Sequence, residues 1–145
     1  MTETITTDVA IIGAGPVGLF AVFECGMLKM SCTVIDTLEE IGGQCAALYP
    51  EKPIFDIPAH PRIDGAALIR ALEEQAAPFS PTYLLAQRVE ALRPEEGGFT
   101  LTTSAGRVVR AKAVILAAGA GAFGPNRPPL NDLPGYEASG AVRYM

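Results

Sequence analysis

The sequence has one histidine and three cysteines, and these small numbers exclude several kinds of site. His60 alone leaves little scope for a metal centre or a histidine-based catalytic triad. Cys25, Cys32 and Cys45 form no C-x-x-C pair and no metal-ligand spacing. Their odd number also argues against a disulfide framework, so all three thiols are predicted to be reduced.

Long apolar runs and a basic surface are also missing. Although 49% of the residues are hydrophobic, every apolar stretch is interrupted well before the length that a transmembrane helix needs. Residues 1–8 lack the basic segment and following apolar segment of a secretory signal. A net charge of −5 argues against nucleic acid or an anionic membrane as a partner. The composition favours a soluble, non-exported, cytoplasmic protein with one domain over residues 1–145.

The most informative stretch is a short apolar run followed by three spaced glycines. Residues 8–12 are too few for a buried helix and predict a buried parallel strand. Gly13, Gly15 and Gly18 then give a G-x-G-x-x-G pattern, and residues 16–25 predict a helix. In this pattern the glycines allow, in order, a tight turn, a close approach to a pyrophosphate and close packing of helix on sheet. The helix N-terminus then favours an anion.

An acidic residue stands where this motif needs one. Residues 31–35 predict a second short strand, and Asp36 ends it 18 residues after Gly18. About 20 residues is the spacing expected for the carboxylate that binds a ribose 2′-hydroxyl. An acid there favours the ribose of FAD or NAD over the 2′-phosphate of NADP. The alternative is a glycine turn with an unrelated aspartate, and the βαβ pattern argues against it.

The loop after Asp36 carries further groups suited to a ligand. Gly42 and Gly43 precede Gln44, which predicts contact through the backbone and the amide of Gln44, with an ordinary flexible loop as the alternative. Tyr49 is suited either to stacking on a flat aromatic ligand or to simple packing. Four prolines between residues 50 and 61 forbid a regular helix there.

The middle of the chain predicts the rest of an α/β domain. Residues 65–76 form an amphipathic pattern that predicts a helix lying on the sheet. A third strand is predicted at residues 82–85. Alternating segments at residues 88–92, 99–103 and 107–110 predict a three-stranded antiparallel meander inserted into the parallel sheet.

The last part of the chain begins with a second glycine-ended strand. Residues 113–119 are apolar and end in glycine, which predicts a strand and a second approach of the backbone to the dinucleotide. From Gly119 onwards the glycine- and proline-rich sequence is expected to be an ordered connection that leaves the domain.

Together these motifs resemble those of the two-dinucleotide flavoprotein reductases. The resemblance rests on residues 13–18, Asp36, residues 42–44 and the turn Ala117-Ala118-Gly119. Residues 42–59 are more specific, since GGQCAALYPEKPIFDIPA is similar to the FAD-domain signature of the thioredoxin-reductase-like ferredoxin–NADP reductases. The implied fold is an α/β, Rossmann-type FAD-binding domain. In the family's second FAD motif a threonine usually stands where this chain has Ala118, a change that keeps the glycine.

The resemblance implies roles for several residues. Asp36 would hold the adenosine ribose, and Gln44 and Tyr49 would contact the flavin half of FAD. Val89 would bind adenine through its backbone, and Phe123 would lie against the flavin. The implied reaction is hydride transfer from NADPH to FAD and single-electron transfer to ferredoxin or flavodoxin, in a homodimeric parent protein. No side chain is expected to act as a general base, because the flavin carries the chemistry.

The family also implies segments that this sequence does not contain. It places an NADPH domain and a returning FAD segment after this portion, and no second G-x-G-x-x-G unit is present. We therefore expect the N-terminal part of a reductase. Two alternatives stay open, a thioredoxin-disulfide reductase-like flavoprotein and a non-catalytic FAD-binding fragment. A redox pair spaced C-x-x-x-x-C is excluded, because Pro50 stands five residues after Cys45, and Cys45 is interpreted as a packing residue.

Overall fold

The computed structural model describes residues 4–121 and 129–142. Its strands are β1 (Thr4–Ile12), β2 (Cys32–Ile35), β3 (Pro53–Ile54), β4 (Ile63–Asp64), β5 (Thr82–Leu84), β6 (Val89–Glu95), β7 (Gly98–Thr103) and β8 (Val108–Leu116). Its helices are α1 (Pro16–Met27), α2 (Gln44–Ala47), α3 (Gly65–Ala76) and α4 (Leu133–Ala138). None of the helices in these ranges is long and apolar enough to cross a membrane.

Six of the strands form one sheet in the order β5-β2-β1-β8-β7-β6. The first four strands in this order are parallel, and β7 and β6 continue the sheet in antiparallel pairing. The predicted Rossmann-type α/β fold with an antiparallel meander is therefore confirmed. Because β1 lies between β2 and β8, the carboxyl ends of these three strands meet at one edge, where such sheets bind ligands.

The meander and the parallel part of the sheet share one strand, which the sequence does not predict. The segments predicted as separate strands at 107–110 and 113–119 belong to one continuous strand, β8. Its first half pairs with β1 and β7 together, and its second half continues along β1. For the same reason β1 begins at Thr4 rather than at residue 8. Exposed Arg110 and Lys112 interrupt the apolar pattern without interrupting the strand.

The two faces of the sheet bury different partners. Val9 and Val34 pack with Val22 of α1 and Ala76 of α3 on one face. On the opposite face, Leu101 and Val109 of the meander pack in one cluster with Ala10, Ile35 and Leu84. Alternate residues of β1 and β2 thus point to opposite faces, as the pleat requires. The predicted helix at residues 65–76 is confirmed, with Leu68 and Ile69 buried.

Two features lie outside the sequence predictions. A short antiparallel pair, β3 with β4, braces the proline-rich loop just before α3. The expected connection after Gly119 also contains a helix, α4, which starts with a proline in its first turn and buries Leu133. Proline fits that position because its missing N–H would have no partner within the helix.

Candidate functional site

A cavity of about 760 Å³ opens at the carboxyl ends of β1, β2 and β8. Five stretches of chain line it: the glycine loop after β1, the turn after β2, the segment from Gly43 to Tyr49, the residues at the start of β6, and the turn after β8. The structure thus brings together stretches that are far apart in sequence, at the edge of the sheet where the topology places a ligand.

The first glycines of the loop allow the chain to turn beside the cavity. Gly13 has φ +111°, and a Cβ there would overlap the carbonyl oxygen of Ala117 in the turn after β8. A Cβ on Gly18 would overlap the carbonyl oxygen of Gly13, so Gly18 is a packing position and does not line the cavity. Gly15 lines the cavity, and an added Cβ would have only the Gly43 Cα within reach, at 3.9 Å. The space beside Gly15 is therefore open to a ligand.

The N-terminus of α1 faces the same space. Gly15 is the N-cap residue of the helix, so no side chain caps its first N–H groups, and Pro16 lies in its first turn. The first N–H groups of a helix have no partner within the helix, and they carry the positive end of its dipole. This 12-residue helix therefore offers backbone donors to an anion beside the glycine loop.

The carboxylate of Asp36 is fixed at the cavity wall by backbone donors. The N–H of Ala14 donates to Oδ2 at 2.6 Å, and the N–H of Leu38 donates to Oδ1 at 2.9 Å. The N–H of Gln87 also donates to the main-chain oxygen of Asp36 at 2.9 Å. Since each carboxylate oxygen accepts more than one hydrogen bond, both keep capacity for a ribose hydroxyl. Sequence spacing predicts the position of Asp36 but not its bond to the glycine loop.

The paired glycines let a second loop cross the first. Gly42 and Gly43 both have positive φ, +123° and +57°. The N–H of Gly42 donates to the carbonyl oxygen of Ala14 at 2.9 Å. A Cβ on Gly43 would lie only 3.1 Å from the Gly15 Cα. The two backbones therefore approach each other closely beside the cavity, and a side chain at Gly43 would press against Gly15.

Three side chains, one at the start of α2 and two that follow the helix, form a connected group. The hydroxyl of Tyr49 donates to Oε1 of Gln44 at 2.9 Å, and both residues line the cavity. The ammonium group of Lys52 lies 5.2 Å from the centroid of the Tyr49 ring. Because Oε1 of Gln44 accepts from Tyr49, the amide nitrogen of Gln44 keeps its two donors for another group.

Val89 and Phe123 are the remaining predicted site residues. Val89, at the start of β6, lines the cavity together with Gln87 and Arg88. Its role as a backbone contact to adenine stays a prediction. Phe123 lies outside the described residues. Arg88, which the sequence analysis does not single out, forms an exposed ion pair with Glu90 at 3.1 Å.

The three cysteine side chains are buried. Cys45 lines the cavity but is buried, and burial raises the pKa of its thiol. Burial raises the pKa of Cys32 to about 12, with a further contribution from neighbouring Cys25. All three thiols are free. In residues 4–121 and 129–142 no group of three or more His, Cys, Asp and Glu side chains is arranged to hold a metal ion.

Comparison with known proteins points to one family. Residues 7–145 match a family model described as pyridine nucleotide-disulphide oxidoreductase. The chain is 67% identical, over 98% of its length, to a protein of Gluconobacter oxydans named ferredoxin–NADP reductase. It is 69% identical, over 97% of its length, to a Granulibacter bethesdensis protein of the same name. The chain spans 42% and 40% of these two relatives.

Solved structures confirm the fold. A thioredoxin reductase of T. acidophilum matches 90% of this chain with a TM-score of 0.71 and 21% identity, and the match covers 40% of that protein. A cyclohexanone monooxygenase matches 87% of the chain with a TM-score of 0.68 and 22% identity, over 28% of its own length. At these identities the two structures support the architecture and carry no argument about activity.

Proposed function

This chain belongs to the pyridine nucleotide-disulphide oxidoreductase family, and we propose that it is the FAD-binding part of a ferredoxin–NADP reductase. The whole protein would pass electrons from NADPH to ferredoxin or flavodoxin. Relatives that are 67% and 69% identical over nearly the whole chain carry that name, which supports this activity over that of a thioredoxin reductase. The NADPH site and the remaining flavin contacts would lie outside this chain, and the parent protein would be a cytoplasmic homodimer.

The observation that carries the proposal is the open space beside Gly15. The helix N-terminus, the crossing glycine loops and the fixed carboxylate of Asp36 surround a region that a Cβ on Gly15 would enter. Backbone donors suit a pyrophosphate, and a carboxylate suits the adjoining ribose. The residues present therefore fit the adenosine diphosphate half of FAD.

Two further cavity residues, Gln44 and Tyr49, suit the flavin half of FAD. Tyr49 presents an aromatic ring, and Gln44 presents amide donors that its bond to the tyrosine hydroxyl leaves free. Rings favour stacking or edge contacts with a flat heterocycle, and amide donors suit the carbonyl groups at its edge. When bound, FAD supplies the hydride and electron chemistry. The residues of this chain bind it, orient it and set its electrostatic surroundings.

A first experiment asks whether this chain holds FAD. The purified 145-residue chain is mixed with excess FAD, desalted and examined by absorption spectroscopy, and the Kd is measured by titration. We expect a retained flavin spectrum and no rapid bleaching on addition of NADPH. Complete loss of FAD would overturn the proposed binding role. Rapid bleaching would show that NADPH reacts within this chain and would overturn the placement of its site elsewhere.

A second experiment tests the activity in a longer protein. The chain replaces the 142 matching residues of the Gluconobacter oxydans protein, and NADPH-dependent reduction of ferredoxin and of flavodoxin is measured. We expect electron transfer to at least one of these carriers. Reduction of thioredoxin instead would favour the disulfide reductase alternative. A chimera that binds FAD and reduces no acceptor, while the unmodified Gluconobacter protein does, would favour a non-catalytic FAD-binding role for this chain.

A further inference from the structure

Tyr49 is held by two side chains, only one of which lines the cavity. Oε1 of Gln44 accepts a hydrogen bond from the tyrosine hydroxyl, and Gln44 itself lines the cavity. Lys52 lies over the ring, with its ammonium group 5.2 Å from the ring centroid, and is not a cavity residue. Lys52 can therefore affect a ligand in the cavity through this contact only by changing the position or the electronic character of the tyrosine ring.

A backbone turn holds the main chains of Tyr49 and Lys52 close together. The N–H of Lys52 donates to the carbonyl oxygen of Tyr49 at 3.1 Å, which closes a tight turn. The N–H of Gly65, the first residue of α3, then donates to the carbonyl oxygen of Lys52 at 3.1 Å. A Cβ on Gly65 would lie 2.8 Å from the Tyr49 carbonyl oxygen, so the turn lies directly on the start of the helix. The turn thus ties the tyrosine and the lysine to α3.

We propose that Lys52 is a positioning residue for FAD, because its ammonium group fixes the Tyr49 ring against the flavin half of the cavity. This inference rests on the proposed function. A ring held at its face by a cation and at its hydroxyl by Gln44 has less freedom to lose when a ligand binds, and such preorganisation increases affinity. Lys52 is exposed, so its contribution should be that of a solvated cation–π contact, about two- to five-fold in Kd.

The test compares three variants in the 145-residue chain by titration with FAD. Lys52→Met removes the charge and keeps the length of the side chain, and Lys52→Arg keeps a cation over the ring. Lys29→Met removes an exposed charge in the turn between α1 and β2, away from the cavity. We expect a Kd about two- to five-fold higher for Lys52→Met, and a Kd close to that of the unmodified chain for the other two.

A double-mutant cycle shows whether Lys52 acts through the ring. In a Tyr49→Leu background the Lys52→Met change should raise the Kd no further, because the contact is already lost. Flavin fluorescence gives a second readout, because quenching by a nearby tyrosine should fall when the ring is released. The effect should also persist at about 0.5 M salt, where long-range attraction between Lys52 and the FAD phosphates is screened.

Each contrary result has a separate meaning. If FAD binds and Lys52→Met leaves the Kd unchanged, or if it acts equally with and without the Tyr49 ring, the role of Lys52 is overturned and the proposed function stands. An equal effect of Lys29→Met would also overturn it, since general charge would then explain the result. If the unmodified chain binds no FAD, the proposed binding role fails, and the role of Lys52 fails with it.

Discussion

The carboxylate of Asp36 accepts a hydrogen bond from the N–H of Ala14 at 2.6 Å, so the acid that faces the cavity also holds the glycine loop in place. The same carboxylate accepts the N–H of Leu38 at 2.9 Å. Asp36 therefore links the end of β2 to the loop after β1. Its predicted contact with the ribose and its structural role share one functional group, and a substitution affects both.

Asp36→Asn should weaken FAD binding by about tenfold or more. Hydrogen bonds to a charged partner are worth ~1.5–3 kcal/mol, and the amide lacks the charge and one acceptor oxygen. One of the two backbone N–H groups also loses its acceptor, so urea should unfold this variant at a lower concentration. The measurements are the FAD titration and the urea midpoint.

Asp56→Asn is the matched control for this change. Asp56 is exposed and does not line the cavity, so both its Kd and its urea midpoint should stay at the unmodified values. A further comparison uses ADP-ribose and its 2′-phosphate as competitors of FAD. The unmodified chain should prefer the unphosphorylated form, and Asp36→Asn should reduce that preference. An Asp36→Asn variant with unchanged affinity would contradict the ribose contact.

Gly15→Ala and Gly18→Ala should separate ligand binding from folding. A methyl group on Gly15 has only an ordinary contact, 3.9 Å from the Gly43 Cα, and extends into the open space of the cavity. The variant should fold normally and bind FAD about tenfold or more weakly, since overpacking costs ~1–3 kcal/mol. A methyl group on Gly18 overlaps the Gly13 carbonyl oxygen, so that variant should lose stability by a similar energy.

Urea unfolding and FAD titration together distinguish the two glycines. The expected pattern is an unchanged urea midpoint with a raised Kd for Gly15→Ala, and a lowered midpoint for Gly18→Ala. If Gly15→Ala bound FAD as tightly as the unmodified chain, the pyrophosphate would not lie beside Gly15. If Gly18→Ala were fully stable, the helix would be able to move away from the strand, contrary to the close packing described above.

The sequence predicts those parts of the cavity that depend on local geometry. The spacing of Gly13, Gly15 and Gly18 reflects a single turn between a strand and a helix, and such a turn needs the same spacing wherever it occurs. Asp36 follows from the length of one βαβ unit. The structure brings Gly13, Gly15 and Asp36 to one cavity and uses Gly18 to pack the helix. Their contacts with FAD stay predictions.

Contacts between distant segments are what the sequence does not reveal. The bond from Ala14 to Asp36 joins residues 22 apart, and no pattern of side chains marks a backbone donor. The sequence does not reveal the continuity of β8, because exposed Arg110 and Lys112 interrupt its apolar run, whereas its pairing with β1 depends on backbone groups. The sequence does not distinguish Lys52 from any other surface lysine, and only the structure shows that its ammonium group lies over the Tyr49 ring.

The ion pair of Asp8 with Lys112 should make stability depend on pH in acid. The ammonium group of Lys112 donates to Asp8 at 2.8 Å, and the N–H and hydroxyl of Ser31 donate to the same carboxylate, each at 2.8 Å. These bonds, that of Lys112 first, lower the pKa of Asp8 below its usual range. The carboxylate therefore stabilises the fold above its unfolded pKa of about 3.9, and this contribution is lost as the pH falls below that value.

Asp8→Asn should lower the urea midpoint near neutral pH, and the difference from the unmodified chain should shrink at about pH 3. Asp56→Asn again serves as the control, with no difference at either pH. Because the pair is exposed, added salt should also reduce the difference. If the difference in urea midpoint were the same at both pH values, the effect would come from the hydrogen bonds with Ser31 and not from the charge of Asp8.

Bound FAD should protect Cys45 from alkylation. The thiol lines the cavity, and burial raises its pKa, so it should react slowly with iodoacetamide near neutral pH. FAD at about ten times its Kd should slow this reaction about tenfold, since only the free protein exposes the thiol. Cys25 and Cys32 do not line the cavity, and mass spectrometry of the separate peptides should show their rates unchanged. Equal protection of all three thiols would mean that alkylation requires unfolding and that Cys45 has no direct access from the cavity.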